Sequence, residues 1–272
     1  MGSMEREVLQ NRALENKTIQ TRSKKQAGEK RILVVHGWMH SAARYRRLKR
    51  DLESSGLFRV KLYEFPGFGH TPAKYKRKIL ERFVEDMRGY LREHSFDIIL
   101  AHSMGGNVVL KAALREGRRE KLLLLSPVYG GIGFLRPIAC FWPAIAWGIR
   151  FLQAPCRGTK FLIRLLSLLT VNRWSAMDCQ LVADVRRADA ATGARLLAEM
   201  AFDQWKIPKE GFKGQAVLIL GERDRVISRR HMEMLRKDLG ECPAKILKGI
   251  GHTAILEDYG SLCWLVHHCI NS

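Results

Sequence analysis

The chain has 272 residues with a globular composition, so it is long enough to bury a complete hydrophobic core as one α/β domain with an insertion. Its formal net charge is +20, which favours anionic partners such as acidic lipid surfaces, acidic carrier proteins or nucleic acid. Basic residues are spread along the whole chain, and no zinc-finger spacing or RNP sequence is present. We therefore expect no specific binding of nucleic acid.

The cysteine and histidine patterns argue against a metal site. The six cysteines form no Cys-x-x-Cys pair, and no His-Glu-x-x-His motif or acidic cluster occurs, so we expect neither a metal nor a cofactor. Unpaired cysteines in apolar segments are typical of a reducing compartment, which favours a cytoplasmic protein. Residues 1–29 are polar and basic and lack the apolar centre of a signal peptide, so they predict an N-terminal arm.

From residue 30 onward, apolar runs alternate with amphipathic segments. Buried strands are predicted at residues 31–36, 59–65, 98–101 and 121–125, and helices at residues 43–54, 78–93 and 107–114. Strands that alternate with helices form right-handed βαβ units, and these build a mostly parallel sheet flanked by helices. Ligand sites in such sheets lie at the carboxyl ends of the strands. Polar and glycine-rich residues follow the predicted strands at residues 36–38, 66–70, 103 and 126.

The alternation stops between residues 129 and 206. Apolar helical runs occupy residues 138–152, 161–169 and 179–202, and the first is too short and too interrupted to span a membrane. Strands return at residues 216–220 and 244–247, each followed by a predicted helix. We therefore predict an α/β core of residues 30–128 and 207–272, with a helical cap of residues 129–206 over the site. A packed helical subdomain without a role in substrate binding is the alternative.

The third predicted strand leads into the most informative stretch of the chain. Residues 98–101 are apolar, residues 107–114 have helical periodicity, and the five residues between them include Ser103 and two glycines. A turn this tight forces its central residue into an unfavourable backbone conformation and presents the Ser103 hydroxyl over a helix N-terminus. The backbone N–H groups there can stabilise an oxyanion. A serine in an ordinary strand-to-helix turn is the alternative.

Three motifs in chain order resemble those of the α/β-hydrolase superfamily. Ala101-His102-Ser103-Met104-Gly105 resembles the Gly-x-Ser-x-Gly nucleophile elbow, with alanine as the first small residue. The stretches 221–224 (Gly-Glu-Arg-Asp) and 249–252 (Gly-Ile-Gly-His) resemble the loops that carry the acid and the histidine. The resemblance implies the α/β-hydrolase fold and a triad of Ser103 as nucleophile, His252 as general base and acid, and Asp224 as the orienting carboxylate. Glu222 is the alternative acid.

Two further stretches extend the resemblance. Residues 36–38 (His-Gly-Trp) follow the first predicted strand, where members of the superfamily place one donor of the oxyanion hole. The resemblance therefore implies the N–H groups of Trp38 and Met104 as the two donors. The loop at residues 66–69 (Pro-Gly-Phe-Gly) is similar to one that supports the site. We expect His36 to be structural and His102 to be a packing or polar neighbour of Ser103.

A serine at the elbow, instead of the aspartate of epoxide hydrolases and haloalkane dehalogenases, implies acyl transfer to water through an acyl-enzyme. The resemblance to serine esterases and lipases, such as carboxylesterases and monoacylglycerol lipases, implies hydrolysis of carboxylic esters with lipophilic acyl groups. The predicted cap favours this activity because its apolar segments are edged with cations, at Arg136, Arg150, Arg157, Lys160 and Arg164. Such a surface suits fatty acyl chains and peripheral contact with anionic lipid.

Three other functions stay open. Residues 36–38 and 66–69 also resemble the pimeloyl-carrier methyl esterase, which implies a thioesterase or methyl esterase that acts on acyl groups of an acidic carrier protein. A carbon–carbon bond hydrolase shares the same triad. The last alternative is a non-catalytic receptor of the hydrolase fold that binds a small ligand.

Overall fold

Six parallel strands form the sheet in the computed structural model, which describes residues 28–168, 170–172 and 179–271. The strands are β1 (Lys30–Val35), β2 (Phe58–Tyr63), β3 (Ile98–His102), β4 (Lys121–Leu125), β5 (Ala216–Gly221) and β6 (Ala244–Leu247). Their order in the sheet is β2-β1-β3-β4-β5-β6, and every adjacent pair is parallel. The predicted parallel α/β architecture is confirmed. The predicted N-terminal arm lies outside the described residues except for its last two positions.

Helices cover both faces of this sheet. In chain order they are α1 (Arg46–Glu53), α2 (Ile79–Glu93), α3 (Met104–Arg115), α4 (Arg136–Ala139), α5 (Trp142–Gln153), α6 (Arg157–Ser167), α7 (Cys179–Arg187), α8 (Ala190–Phe202), α9 (Arg229–Asp238), α10 (Ala254–Glu257) and α11 (Tyr259–Asn271). The core between the sheet and α2, α3 and α9 contains Leu33 and Val35, and the core on the side of α1 and α11 contains Ile32 and Val34. All residues of β3 are buried because both of its faces are covered.

The order of the strands reverses at β1. The chain places β2 on one side of β1 and β3 on the other, and Val35 at the end of β1 pairs with Ala101 of β3. The loop after β1 and the turn after β3 therefore leave the same edge of the sheet side by side. In open parallel sheets this crevice is where ligand sites form.

The chain between β4 and β5, here called the helical insertion, contains helices α4 to α8 and no strand among its described residues. The single helix predicted at residues 179–202 is in fact two, α7 and α8, because the Asp189 carboxylate accepts a hydrogen bond from the N–H of Thr192 at 2.7 Å and so caps a new helix. The helix predicted at residues 138–152 is also divided, between the end of α4 and α5, which begins at Trp142 with Pro143 in its first turn. No helix in the described part of the chain has the length and apolar character needed to cross a bilayer.

A buried ion pair joins the helical insertion to the loop after β1. The Asp184 carboxylate of α7 accepts hydrogen bonds from Arg44 Nε at 2.9 Å, Ser41 Oγ at 2.5 Å and Gln180 Nε2 at 2.7 Å. Donors thus reach both of its oxygens, which a buried carboxylate requires.

Two contacts at the far end of the insertion join it to helices α2 and α3. Lys111 of α3 donates to both carboxylate oxygens of Asp203, at 2.7 and 2.8 Å. The Glu199 carboxylate of α8 accepts hydrogen bonds from the N–H groups of Ile79 and Leu80, at 3.0 and 2.7 Å. A carboxylate at this position accepts hydrogen bonds from N–H groups in the first turn of α2, which have no acceptor within the helix.

Candidate active site

Ser103 is the single residue between β3 and α3. β3 ends at His102 and α3 begins at Met104, and Ser103 has φ +52° and ψ −117°, a region that few residues other than glycine occupy. Its N–H donates to the carbonyl oxygen of Leu125 at 2.9 Å, and its own carbonyl oxygen accepts from the N–H of Val128 at 3.2 Å. Backbone bonds to the neighbouring β4 therefore hold the strained conformation.

Glycines let the turn approach the rest of the sheet edge. A Cβ on Gly105 would lie 2.4 Å from the carbonyl oxygen of His36, and a Cβ on Gly106 would lie 2.7 Å from Cβ of Pro127. A Cβ on Gly37 would lie 3.1 Å from Cβ of Ser103, so the loop after β1 runs directly against the serine. Only residues without a side chain permit these approaches.

The three residues of the predicted triad form one chain of hydrogen bonds. Nε2 of His252 lies 2.8 Å from Oγ of Ser103, and Nδ1 of His252 lies 2.8 Å from Oδ2 of Asp224. Because a carboxylate only accepts, Nδ1–H donates to Asp224, and Nε2 is left to accept the Ser103 hydroxyl proton. Ser103 and His252 are both 6% exposed. The site therefore holds a serine hydroxyl, a base that can take its proton and a carboxylate that orients the base.

Asp224 is fixed in its ionised form. Its second oxygen, Oδ1, accepts hydrogen bonds from the N–H groups of Val226 and Ile227, each at 2.8 Å. Burial raises the pKa of Asp224, but the attraction of His252 and the hydrogen bonds from His252 and Ile227 outweigh it and hold the pKa below its ordinary 3.8. Glu222, the alternative acid, instead accepts a hydrogen bond from the N–H of Gly249 at 2.9 Å. Asp224, and not Glu222, is therefore the carboxylate that contacts His252.

The loop that carries His252 is held by contacts that the sequence analysis missed. The N–H of His252 donates to the carbonyl oxygen of Thr170 in the helical insertion at 2.9 Å. The buried Glu257 carboxylate accepts from the N–H groups of Gly251 and Asn172, each at 2.9 Å. Leu256 and Glu257 directly follow the histidine motif, but no local pattern indicates that this carboxylate turns back onto the loop.

The profile of the Alpha/beta hydrolase family matches residues 32–261, which is most of the chain. The chain belongs to this family. The predicted superfamily and its fold are thereby confirmed. No curated protein matches the sequence.

Solved structures share the fold of this alpha/beta hydrolase at low identity. An enol-lactonase from Burkholderia xenovorans LB400 has a TM-score of 0.72 at 19% identity, over 90% of this chain and 92% of that one. An esterase from Exiguobacterium antarcticum has a TM-score of 0.71 at 15% identity, over 90% and 93%. The 2-hydroxy-6-oxo-6-phenylhexa-2,4-dienoate hydrolase from Rhodococcus sp. strain RHA1 has a TM-score of 0.68 at 21% identity, over 90% and 91%. By their names these neighbours are a lactonase, an esterase and the hydrolase of a dienoate.

The predicted oxyanion donors belong to Met104, which directly follows Ser103, and to Trp38 in the loop after β1. Met104 is the first residue of α3, where a backbone N–H has no acceptor within the helix. Trp38 follows Gly37, which runs against Ser103, and its indole Nε1–H donates to the carbonyl oxygen of Gly193 in α8 at 2.8 Å. The helical insertion therefore holds the Trp38 side chain while the Trp38 peptide lies next to the elbow.

Two further buried histidines, His40 and His102, lie next to His252. His102 donates from Nε2 to the carbonyl oxygen of His252 at 3.1 Å, and its ring stacks on that of His40 with centroids 5.3 Å apart. Burial, followed by the proximity of His252, lowers the pKa of His102 from 6.5 to about 3. His102 is therefore neutral and supports the backbone of His252. His40 has no motif of its own, and sequence reasoning missed it.

His36 joins two strand ends in the hydrolase core. Its Nδ1–H donates to the carbonyl oxygen of Gly37 at 2.8 Å, and its Nε2 accepts from the N–H of Phe65 at 3.1 Å. This arrangement requires a neutral ring, and burial accordingly lowers its pKa below 6.5. His36 therefore holds the loop after β1 against the loop after β2.

Proposed function

We propose that this protein is a serine hydrolase that cleaves carboxylic esters through an acyl-enzyme intermediate. The observation that carries the proposal is the unbroken hydrogen-bond chain from Ser103 through His252 to Asp224, at 2.8 Å for each link. It starts at a serine in a strained turn at a helix N-terminus. This is the arrangement that activates a serine hydroxyl as a nucleophile.

In the acylation step, Oγ of Ser103 attacks the ester carbonyl carbon while Nε2 of His252 takes the hydroxyl proton. The carbonyl oxygen becomes an oxyanion that accepts hydrogen bonds from the N–H groups of Trp38 and Met104. When the tetrahedral intermediate collapses, the bond to the alcohol oxygen breaks and His252 returns the proton to it. Asp224 stays ionised throughout and stabilises the imidazolium.

In the deacylation step, a water molecule attacks the acyl carbon and gives its proton to His252. The bond to Ser103 then breaks, the proton returns to Oγ, and the carboxylic acid leaves. The same two N–H donors stabilise the second oxyanion, and each is worth roughly 10²–10³ in turnover.

The surroundings of the elbow support a lipophilic acyl group. Met39 of the loop after β1 and Ile149 of α5 both lie against Gly193 of α8, next to the Trp38 indole. These side chains form an apolar layer between the sheet edge and the helical insertion. In the proposed function the insertion is a cap, and an acyl chain packs against this layer.

We also propose a cytoplasmic location. The structure describes all six cysteines, and each of them is a free thiol. Free thiols in this number suit a reducing compartment.

The decisive experiment labels the protein with a fluorophosphonate probe and then measures hydrolysis of p-nitrophenyl esters of increasing chain length. Wild type and Ser54→Ala, which changes an exposed serine on the core, should be labelled, and Ser103→Ala should not. Labelling that persists in Ser103→Ala, or that fails in the folded wild type, contradicts the proposal. Acyl thioesters and carbon–carbon substrates measured in parallel distinguish the ester activity from the thioesterase and carbon–carbon hydrolase alternatives.

A further inference from the structure

Helices α5 and α6 expose large apolar side chains on the outside of the helical insertion. Trp147 is 73% exposed and Phe141 67%, and Phe151, Leu165 and Leu166 are also exposed. We call these five residues the apolar face. Large apolar side chains that are exposed together on one part of a protein mark an interaction site.

Helix α5 is apolar on both of its sides. Ala146 and Ile149 are buried, and Trp142 and Ile145 pack partly buried against the core. On the opposite side, Trp147 and Phe151 are one helical turn apart, and their rings stack with centroids 6.4 Å apart. The outer side of a surface helix is ordinarily polar, so folding of the chain does not account for these outer aromatic residues.

Helix α6 continues the apolar face and adds a basic edge to it. Leu165 and Leu166 are exposed, whereas Ile163 is buried towards the core of the insertion. Arg157 and Lys160 are exposed in the first turns of the same helix, and Arg150 is exposed on α5. The apolar face is thus bordered by cations whose long side chains can reach past it.

The positive charge around the apolar face indicates which partner docks there. Between Glu120 and Asp178 the sequence contains no aspartate and no glutamate, while it contains seven lysines and arginines. A second copy of the chain docked by the same face would bring these cations together. Residues 1–27 carry six basic and three acidic residues, so they have the same sign as the face. An anionic lipid surface offers both an apolar layer and the opposite charge.

We propose that α5 and α6 dock this protein on the surface of an anionic lipid bilayer. Phe141, Trp147 and Phe151 enter the boundary between headgroups and acyl chains, while Arg150 and Lys160 contact lipid phosphates. This inference goes beyond the proposed ester hydrolysis and does not depend on it, because binding and turnover are measured separately.

The test is co-sedimentation of the full chain with phosphatidylcholine vesicles, with and without phosphatidylglycerol. Binding should require phosphatidylglycerol and weaken as salt is added. The double variant Trp147→Ser, Phe151→Ser should bind at least about tenfold more weakly, because both aromatic side chains leave the lipid. Trp264→Ser is the matched control, since Trp264 is 67% exposed on α11 outside the insertion, and it should bind like the wild type.

A second set of variants tests the charge. The triple variant Arg150→Gln, Arg157→Gln, Lys160→Gln should lose about fivefold in vesicle affinity for each charge removed. Arg46→Gln, Arg50→Gln on α1 is the control and should lose less. Circular dichroism and the unfolding temperature of each variant show that it is folded.

Four results would overturn the proposal. These are no binding to either vesicle, equal losses in the control variants, binding of an acidic carrier protein without binding of vesicles, and a dimer in solution that Trp147→Ser, Phe151→Ser dissociates. The last two identify a protein as the occupant of the face.

Discussion

Arg44 and Asp184 form an ion pair that solvent barely reaches. Their side chains are 1% and 0% exposed, and Nε of Arg44 lies 2.9 Å from Oδ2 of Asp184. Arg44 belongs to the chain that follows Trp38, and Asp184 belongs to α7 of the helical insertion. The pair therefore fixes the insertion against the part of the core that carries a proposed oxyanion donor.

Removing one partner of this pair should be costly. Asp184→Ala leaves a buried guanidinium without its carboxylate, and we expect it to lower the free energy of unfolding by about 3–5 kcal/mol. Urea unfolding of wild type and variant measures the difference. Replacement of both residues by apolar ones, Arg44→Met with Asp184→Leu, should recover much of the loss.

The control for this pair lies on the surface. Arg115 of α3 pairs with Glu81 of α2, and both side chains are well exposed. Arg115→Ala should lower the free energy of unfolding by about 1 kcal/mol or less. If Asp184→Ala costs no more than Arg115→Ala, the buried pair does not hold the insertion in place.

Asp224→Asn should lower kcat by about four orders of magnitude, because an amide no longer holds His252 in the tautomer that accepts the Ser103 proton. The measurement is the rate of ester hydrolysis, with the rate of fluorophosphonate labelling beside it. Glu222→Gln, which changes a carboxylate bonded to Gly249, should stay within about tenfold of the wild type. A larger loss in Glu222→Gln than in Asp224→Asn would reverse the choice of acid.

Gly221→Ala should damage the site through the backbone. Its Cβ would lie 2.0 Å from the carbonyl oxygen of Gly251, so the loop that carries His252 must shift. We expect a loss of about 100-fold in kcat/KM, the usual effect of a displacement near 1 Å at a catalytic group. Gly89→Ala on α2 meets nothing within 4 Å and should stabilise the protein by about 0.5–1 kcal/mol with unchanged activity.

The buried histidines should make the protein sensitive to mild acid. Burial lowers the pKa of His36, His40 and His102 below 6.5 in the folded state, to about 3 for His102. Below pH 6.5 the unfolded chain binds protons that these buried rings do not, so stability falls as the pH falls. Each histidine lowers the free energy of unfolding by at most about 1.4 kcal/mol for each pH unit.

The matching experiment follows urea unfolding between about pH 7.5 and 5.5. His40→Gln should show a shallower decrease of stability with falling pH than the wild type. His70→Gln, which changes an exposed histidine, should keep the wild-type slope. Equal slopes in all three proteins would mean that His40 is not held neutral by burial.

The fold, and the strand ends that carry Ser103, Asp224 and His252, could be predicted because local sequence dictates local backbone. The turn at Ser103 needs small residues on both sides, since a Cβ on Gly105 would lie only 2.4 Å from the carbonyl oxygen of His36. The close approach of Gly221 to Gly251 likewise requires a glycine as the last residue of β5. Close backbone approaches of this kind require glycines at fixed positions, which can be recognised in the sequence. The predicted strands then show that these glycines lie at the sheet edge.

The carboxylates that hold the helical insertion leave no such pattern. Asp184, Asp203 and Glu199 contact residues that are 140, 92 and 120 positions away in the chain. An acidic residue on an amphipathic helix has the same local signature whether it faces solvent or a distant arginine. The break between α7 and α8 escaped prediction for a related reason, because the cap at Asp189 lies inside a run of helix-forming residues.

The carboxylate of Glu199 completes a helix that belongs to the core and not to the insertion. Core and insertion are therefore not interchangeable parts, although the chain enters and leaves the insertion at neighbouring strands. An insertion without Asp184, Asp203 and Glu199 would remove the carboxylates that Arg44, Lys111 and the N-terminus of α2 contact. In this chain, a new insertion would therefore have to supply carboxylates at the same three places, or the core positions would have to change with it.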